Sequence, residues 1–287
     1  MKEYTPITFS VQSQLEKINE KYQNSKSSHA FSSLWLWQRE MKLSLWLGED
    51  CYIVKADKGR YFFPCGDLAE KKEFLKQICK SPGVELHYLS DLDKQWLERE
   101  FTGEWDFFRA EDEDEYIYHI GEQLELLGKN YANMRTQIHK IEREHEVRTE
   151  KLETNNLAVA KRIVDTWCSG DERFLGSTLR DDNVDRMAIE FAEQLHIEGV
   201  IIYIDGNAMS VVAGFPLSED TFDIVVSKCT ENIQGLSYYS KREMMKQVSD
   251  RFTYLNLEED LGIAGLRKMK KMLHPVKKNE MWRALRR

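Results

Sequence analysis

Long apolar runs are missing from this sequence: none approaches the roughly 18 to 20 residues that a helix needs to cross a bilayer, so membrane insertion is not expected. The opening Met-Lys-Glu-Tyr-Thr-Pro likewise lacks the apolar segment of a secretory signal, and a cytoplasmic location is the expectation. Cysteine is sparse. Cys51, Cys65, Cys79, Cys168 and Cys229 are odd in number, widely spaced and never arranged as Cys-x-x-Cys, which argues against a disulfide framework or a zinc site. The histidines, His29, His87, His119, His139, His145, His196 and His274, form neither a His-x-x-x-His nor a Ser/His/Asp pattern, so no metal site and no hydrolytic triad are expected. Excess positive charge is missing too. The formal net charge is -8, whereas neutralising nucleic-acid phosphates takes clustered Lys and Arg, so tRNA as a partner would need a local basic surface.

What is present is apolar material for two domains, 41% of 287 residues. Hydrophobic periodicity in the first half predicts helices over 11–23 and 28–39, strands over 43–47, 51–55 and 61–64, a helix over 68–80, a strand over 84–89, a helix over 91–101 and a strand over 105–109. The second half has the same order. Helices over 155–168 and 183–196 precede strands over 199–204, 209–215 and 222–228, with Asp205-Gly206-Asn207 marking a tight hairpin. A helix over 237–250, a strand over 252–257, a helix over 262–273 and a closing extended segment over 276–285 follow. Between the halves, the charged stretch 112–145 carries Tyr116, Ile117, Ile120, Leu124 and Leu127 at helical spacing. The resulting expectation is an α/β (α+β) protein with domains over 1–111 and 149–287, each a mixed sheet flanked by helices, joined by a helical connector over 112–148.

The segment from Tyr254 to Pro275 stands out: a short apolar strand runs into Glu258, Glu259 and Asp260, then into a helix opened by Gly262 and Gly265 and carrying Arg267, Lys268, Lys270 and Lys271. Carboxylates early and cations late in a helix suit its dipole. Two glycines three apart, each costing a helix about 1 kcal/mol against alanine, fit a place where backbone or ligand comes close.

The order of elements is that of GNAT-type (acyl-CoA N-acyltransferase) enzymes. Glu115-Tyr-Ile-Tyr, Leu126-Leu-Gly-Lys-Asn-Tyr-Ala-Asn-Met-Arg135, Trp167 and the Asn256–Lys270 run through to Pro275 together resemble the soluble bacterial family related to the C-terminal domain of phosphatidylglycerol lysyltransferases. The resemblance spans nearly the whole chain and implies a tandem GNAT fold akin to the Fem-type aminoacyl-tRNA-dependent transferases; it implies fold more firmly than reaction. Two departures bear on chemistry. Where members carry Glu-Lys-Ala at the end of the third strand of the second half, this chain reads Ser227-Lys228-Cys229, without the carboxylate. Where acetyl-CoA enzymes have a glycine-rich phosphate loop, it reads Glu231-Asn-Ile-Gln-Gly-Leu-Ser-Tyr238, with one glycine.

Acyl or aminoacyl transfer needs a base for the nucleophile's proton, donors for an oxyanion and positive charge for the donor's phosphates. The candidates for acid–base work are Glu258, Glu259 and Asp260, with Tyr238 as a proton donor to the leaving group. Asp223 is a further, weaker base. Those for donor or ligand binding are Lys228, Arg267, Lys268 and Lys270, with Arg135 and Lys129 from the connector as the resemblance suggests. Each also has a structural reading: a solvated acidic turn, a strand-end lysine, a packed tyrosine. Two functions follow as expectations. One is an acyl- or aminoacyl-transferase using acyl-CoA or aminoacyl-tRNA, with its groove in the C-terminal half. The other is a non-catalytic or regulatory protein that binds a small anionic ligand on a degenerate GNAT fold.

Overall fold

A computed structural model describes residues 3–80, 83–169, 182–231 and 233–287. The chain forms two units, Met1–Tyr116 with Glu259–Lys268 and Lys278–Arg287, and Ile117–Glu258 with Met269–Lys277.

In the first unit, helices α1 (Gln12–Lys21) and α2 (Phe31–Trp37) precede strands β1 (Ser44–Leu47), β2 (Cys51–Lys55), β3 (Arg60–Phe62) and β4 (Cys65–Gly66). Helix α3 (Leu68–Ile78), β5 (Glu85–Leu89), α4 (Asp91–Glu100) and β6 (Trp105–Arg109) follow. Strand β7 (Glu115–His119) carries the chain into the second unit. There come α5 (Ile120–Glu125), α6 (Ala132–Glu144), β8 (Val147–Lys151), α7 (Leu157–Ser169) and α8 (Asp182–Glu190). Then β9 (Glu198–Ile204), β10 (Asn207–Pro216), β11 (Thr221–Cys229), α9 (Leu236–Val248), β12 (Tyr254–Asn256), α10 (Ala264–Met272), β13 (Lys277–Asn279) and β14 (Trp282–Arg286) complete the chain.

Both sheets are mixed and seven-stranded, ordered β1-β2-β3-β5-β14-β6 with β4 on β2, and β13-β7-β12-β11-β10-β9-β8. The expected fold class, two mixed α/β sheets flanked by helices, is what the chain adopts. In each sheet two strands joined through a helix run parallel: β3 with β5 and β11 with β12. Asp205 and Gly206 both take positive φ in the β9–β10 turn, the conformation a two-residue hairpin requires. Residues 209–215 of β10 are buried in succession, so both faces of that strand are covered, and α7 and α9 both pack on it. The first sheet buries Phe63, Leu75, Leu86, Leu89, Leu97 and Trp105 together with Ala284 of β14.

Two sequence expectations are corrected. The closing segment, read as the last element of the second half, splits: β14 inserts between β5 and β6 of the first sheet. The stretch read as a helical connector interrupted at Gly128 is broken there, between α5 and α6, but it begins as a 3-10 turn and the strand β7, because Ile117, Tyr118 and His119 pair in an antiparallel ladder with β12 rather than along a helix. Leu127, placed on the apolar stripe, is 70% exposed. The acidic run before β7 is not a solvated face. Asp114 is buried and takes two hydrogen bonds from Arg109, at 2.8 and 3.0 Å, and one from the Met281 amide at 3.0 Å. Glu113 accepts from Arg283 Nε at 2.8 Å and lies 2.7 Å from His87 Nδ1, and Glu115 accepts from the Ser27 amide at 2.7 Å. Charges this deep persist because each is partnered.

Strand β10 carries a bulge between Ala213 and Gly214. A Cβ on Gly214 would stand 1.8 Å from the Asp223 carbonyl oxygen, so no side chain fits without moving β10 or β11. Gly214→Ala is expected to lower stability by about 2 kcal/mol, as overpacking does, seen as a lower urea midpoint at unchanged m; an unchanged midpoint would show that the bulge relaxes at no cost.

Candidate active site

In the second unit β11 and β12 pair only from Thr221 opposite Tyr254 to Asp223 opposite Asn256. Strand β12 stops there while β11 continues to Cys229, which leaves the far part of β11 unpaired with β12. Polar side chains are buried in this part of the unit. Asp223 and Asn256 are fully buried, and Lys228, Lys241 and Lys270 are 8%, 5% and 4% exposed. Three buried ammonium groups in one unit are unusual, because lysine is almost never fully buried unless paired.

Their environments differ. Lys228 Nζ lies 3.0 Å from Asp185 Oδ2 of α8 and 3.9 Å from the Trp167 ring centre of α7. Lys270 donates to the carbonyls of Leu257 and Glu258, at 2.5 and 3.0 Å. The Glu258 carbonyl is presented by a left-handed backbone, φ +59°, and the Glu258 amide donates to Asn256 Oδ1 at 2.7 Å. Lys241 donates to Ser237 Oγ at 2.7 Å, and among the described residues no carboxylate pairs with it. Burial drives its pKa down to about 8; Lys270 and Lys228 lower it further, against an upward pull from Cys229. The second unit therefore holds a cluster of positive charge, and among the described residues Lys241 has no counter-ion.

The other predicted residues are placed as follows. Asp260 is buried and accepts from Arg267 Nε at 2.7 Å, Arg267 Nη2 at 3.0 Å, the Tyr116 hydroxyl at 2.6 Å and the Gly262 amide at 2.9 Å. Burial pushes its pKa up, but these donors outweigh that and hold it at about 2. Arg267 and Asp260 are thus brought together with each other. Glu258 and Glu259 are half-buried, Lys268 is exposed, and Tyr238 lies half-buried in the first turn of α9. Arg135 donates to the carbonyls of Leu126 and Gly128 and so caps the end of α5, while Lys129 is exposed.

Sequence reading missed Lys241. Its signal was there: the buried face of α9 reads Leu236, Tyr239, Ser240, Lys241, Met244, Met245, Val248, so a lysine sits inside an apolar stripe.

The C-terminal domain model of phosphatidylglycerol lysyltransferases matches residues 19–285. The chain belongs to that family. Family members and related folds share its architecture across the whole length. A conserved protein of unknown function from Bacteroides thetaiotaomicron superposes with a TM-score of 0.91 at 20% identity, covering 100% of both chains. L-PGS from Bacillus licheniformis superposes with a TM-score of 0.65 at 16% identity, over 96% of this chain and 91% of that one. FemX gives 0.64 at 11% identity, over 98% and 96%. At such identities the likeness shows the fold alone. Comparison with curated proteins gives no match. Among the described residues of this lysyltransferase-family chain, no helix is long and apolar enough to cross a membrane.

Proposed function

We propose that the second unit is an acyl- or aminoacyl-transferase whose donor places an anionic group, phosphate or carboxylate, against Lys241, with acyl-CoA or aminoacyl-tRNA as the donor and a cytoplasmic setting. The observation that carries this is the buried ammonium of Lys241, which has no carboxylate partner among the described residues. An uncompensated buried cation costs stability, and binding sites are where such a cost is retained. Lys228 and Lys270 add charge from the same unit. In the transfer step the acceptor amine or hydroxyl gives its proton to Glu258 as its nitrogen or oxygen bonds the acyl carbon. The acyl–sulfur or acyl–oxygen bond of the donor breaks, and the leaving group takes a proton from Tyr238.

Proton linkage tests it. Near pH 8 about half of the Lys241 side chains are protonated, and an anion beside them raises the pKa. Calorimetric titration with coenzyme A or an aminoacyl-tRNA, in two buffers of different ionisation enthalpy, is expected to show uptake of up to about half a proton. Lys241→Met should abolish the uptake and weaken binding at least about tenfold, 1.4 kcal/mol. Binding with no proton uptake, untouched by Lys241→Met, would remove the assignment. Ser227 near the end of β11, where the family resemblance implies a glutamate, favours a second reading, a non-catalytic anion binder. Proton-linked binding of inorganic phosphate without turnover of any acyl donor would select it.

A further inference from the structure

The first unit repeats, on its own parallel strand pair, the devices that build the cluster in the second. Strand β3 runs parallel to β5 from Arg60 opposite Glu85 to Phe62 opposite His87, and α3 crosses between them as α9 crosses between β11 and β12. At the end of β5, Tyr88 takes φ +59°, the value found at Glu258 beyond β12. A bulky residue in that conformation is strained, at a cost of about 1–3 kcal/mol. In both places the strained residue turns its carbonyl toward a lysine: Lys26 donates to Tyr88 O at 3.0 Å, as Lys270 donates to Glu258 O. Lys26 lies in the connection between α1 and α2. The crossing helix contributes a lysine in each unit, Lys241 on α9 and Lys71 on α3.

Around this second set lies a cleft of about 480 Å³ lined by Asn24, Lys26, Cys65, Lys71, Asp91 and Asp93 among others, a volume within the usual range for small-molecule sites. Its charges are not all matched internally. Lys26 pairs with Asp93 at 2.9 Å. Lys71 lies over the Phe63 ring at 5.4 Å, with no carboxylate partner among the described residues. Asp91 accepts from the Trp282 indole at 2.7 Å and has no cation partner among the described residues. One cation and one anion are left to face a ligand.

We infer that the first unit carries a second binding site, for a small zwitterion of the amino-acid class, its carboxylate on Lys71 and its ammonium on Asp91. The assignment is independent of the donor site in the second unit. Calorimetric titration of the full chain with L-alanine and L-glutamine should show binding, with propionate and propylamine, which each lack one charge, at least about tenfold weaker. Lys71→Met and Asp91→Asn should each weaken the amino acids about tenfold, and Lys241→Met, in the other unit, should leave them unchanged. The inference is overturned if the amino acids bind no better than propionate or propylamine, or if neither cleft variant changes their affinity. Loss of binding in Lys241→Met would overturn it as well, by moving the amino acid to the second unit. Circular dichroism melts of the two cleft variants separate lost binding from lost folding.

Discussion

Arg267→Ala is expected to destabilise the protein by about 3 kcal/mol, read as a lower urea midpoint. The guanidinium holds both oxygens of Asp260, which is fully buried, and stranding one partner of a buried pair costs roughly 3–5 kcal/mol. Arg267 is 33% exposed, so water replaces part of what it gave and the lower end applies. The pH dependence has a definite sign. Asp260 has its folded pKa depressed, from 3.8 to about 2. Its contribution, about 2 kcal/mol by linkage, is present above the unfolded value and disappears as pH falls from about 4 toward 2. Removing Arg267 raises the folded pKa and moves that loss to higher pH. Adding Asp260→Asn to Arg267→Ala should cost less than the sum of the single changes. An Arg267→Ala protein of unchanged stability that had lost ligand binding would instead make Arg267 a ligand contact, which is how the sequence alone presents it.

The opposite sign is expected at Lys241. Lys241→Met should stabilise the protein by about 3 kcal/mol at pH 7, the cost of keeping an ammonium in a site that lowers its pKa from 10.5 to about 8. The unfolded chain binds more protons than the folded one between those two values, so wild-type stability rises with pH across the window, and the advantage of the variant vanishes above about 10.5. Paired denaturation curves at pH 7 and above pH 10 measure it. Gain in stability with loss of ligand binding is the pattern of a residue kept for function. A destabilised Lys241→Met would mean that the ammonium is satisfied where it sits and has no ligand to meet.

How much of this was legible beforehand depended on range. Elements set by local pattern were readable: the hairpin at Asp205 and Gly206, α3 within the expected 68–80, and the run from β9 to α9. The order of elements gave the tandem arrangement for the same reason. What was not readable was decided by partners far away in sequence. Asp112, Glu113 and Asp114 look like a solvated run because nothing local announces Arg283, Met281 and Lys278. Arg267 looks like a ligand arm because the burial of Asp260 and its bond from Tyr116, 144 residues earlier, are tertiary facts. Lys241 was hidden by its type: a lysine in a helix is assumed to reach water, and only its place within the stripe spoke against that.

The insertion of β14 between β5 and β6 sets the order in which the chain can assemble. Its Trp282 bonds to Asp91 across 191 positions, so β5 and β6 leave the ribosome long before the strand that separates them. Until then two strand edges stand open in the first sheet, and open edges invite pairing with the wrong chain. Closing so large a loop is slow compared with local hairpins. The second sheet waits at one end only: β7 has to stand by for β12 and β13, while β9, β10 and β11 follow one another directly and can pair as they emerge. During synthesis, therefore, the facing edges of β5 and β6 stay open until β14 emerges, and that interval is when the first sheet has most need of a chaperone.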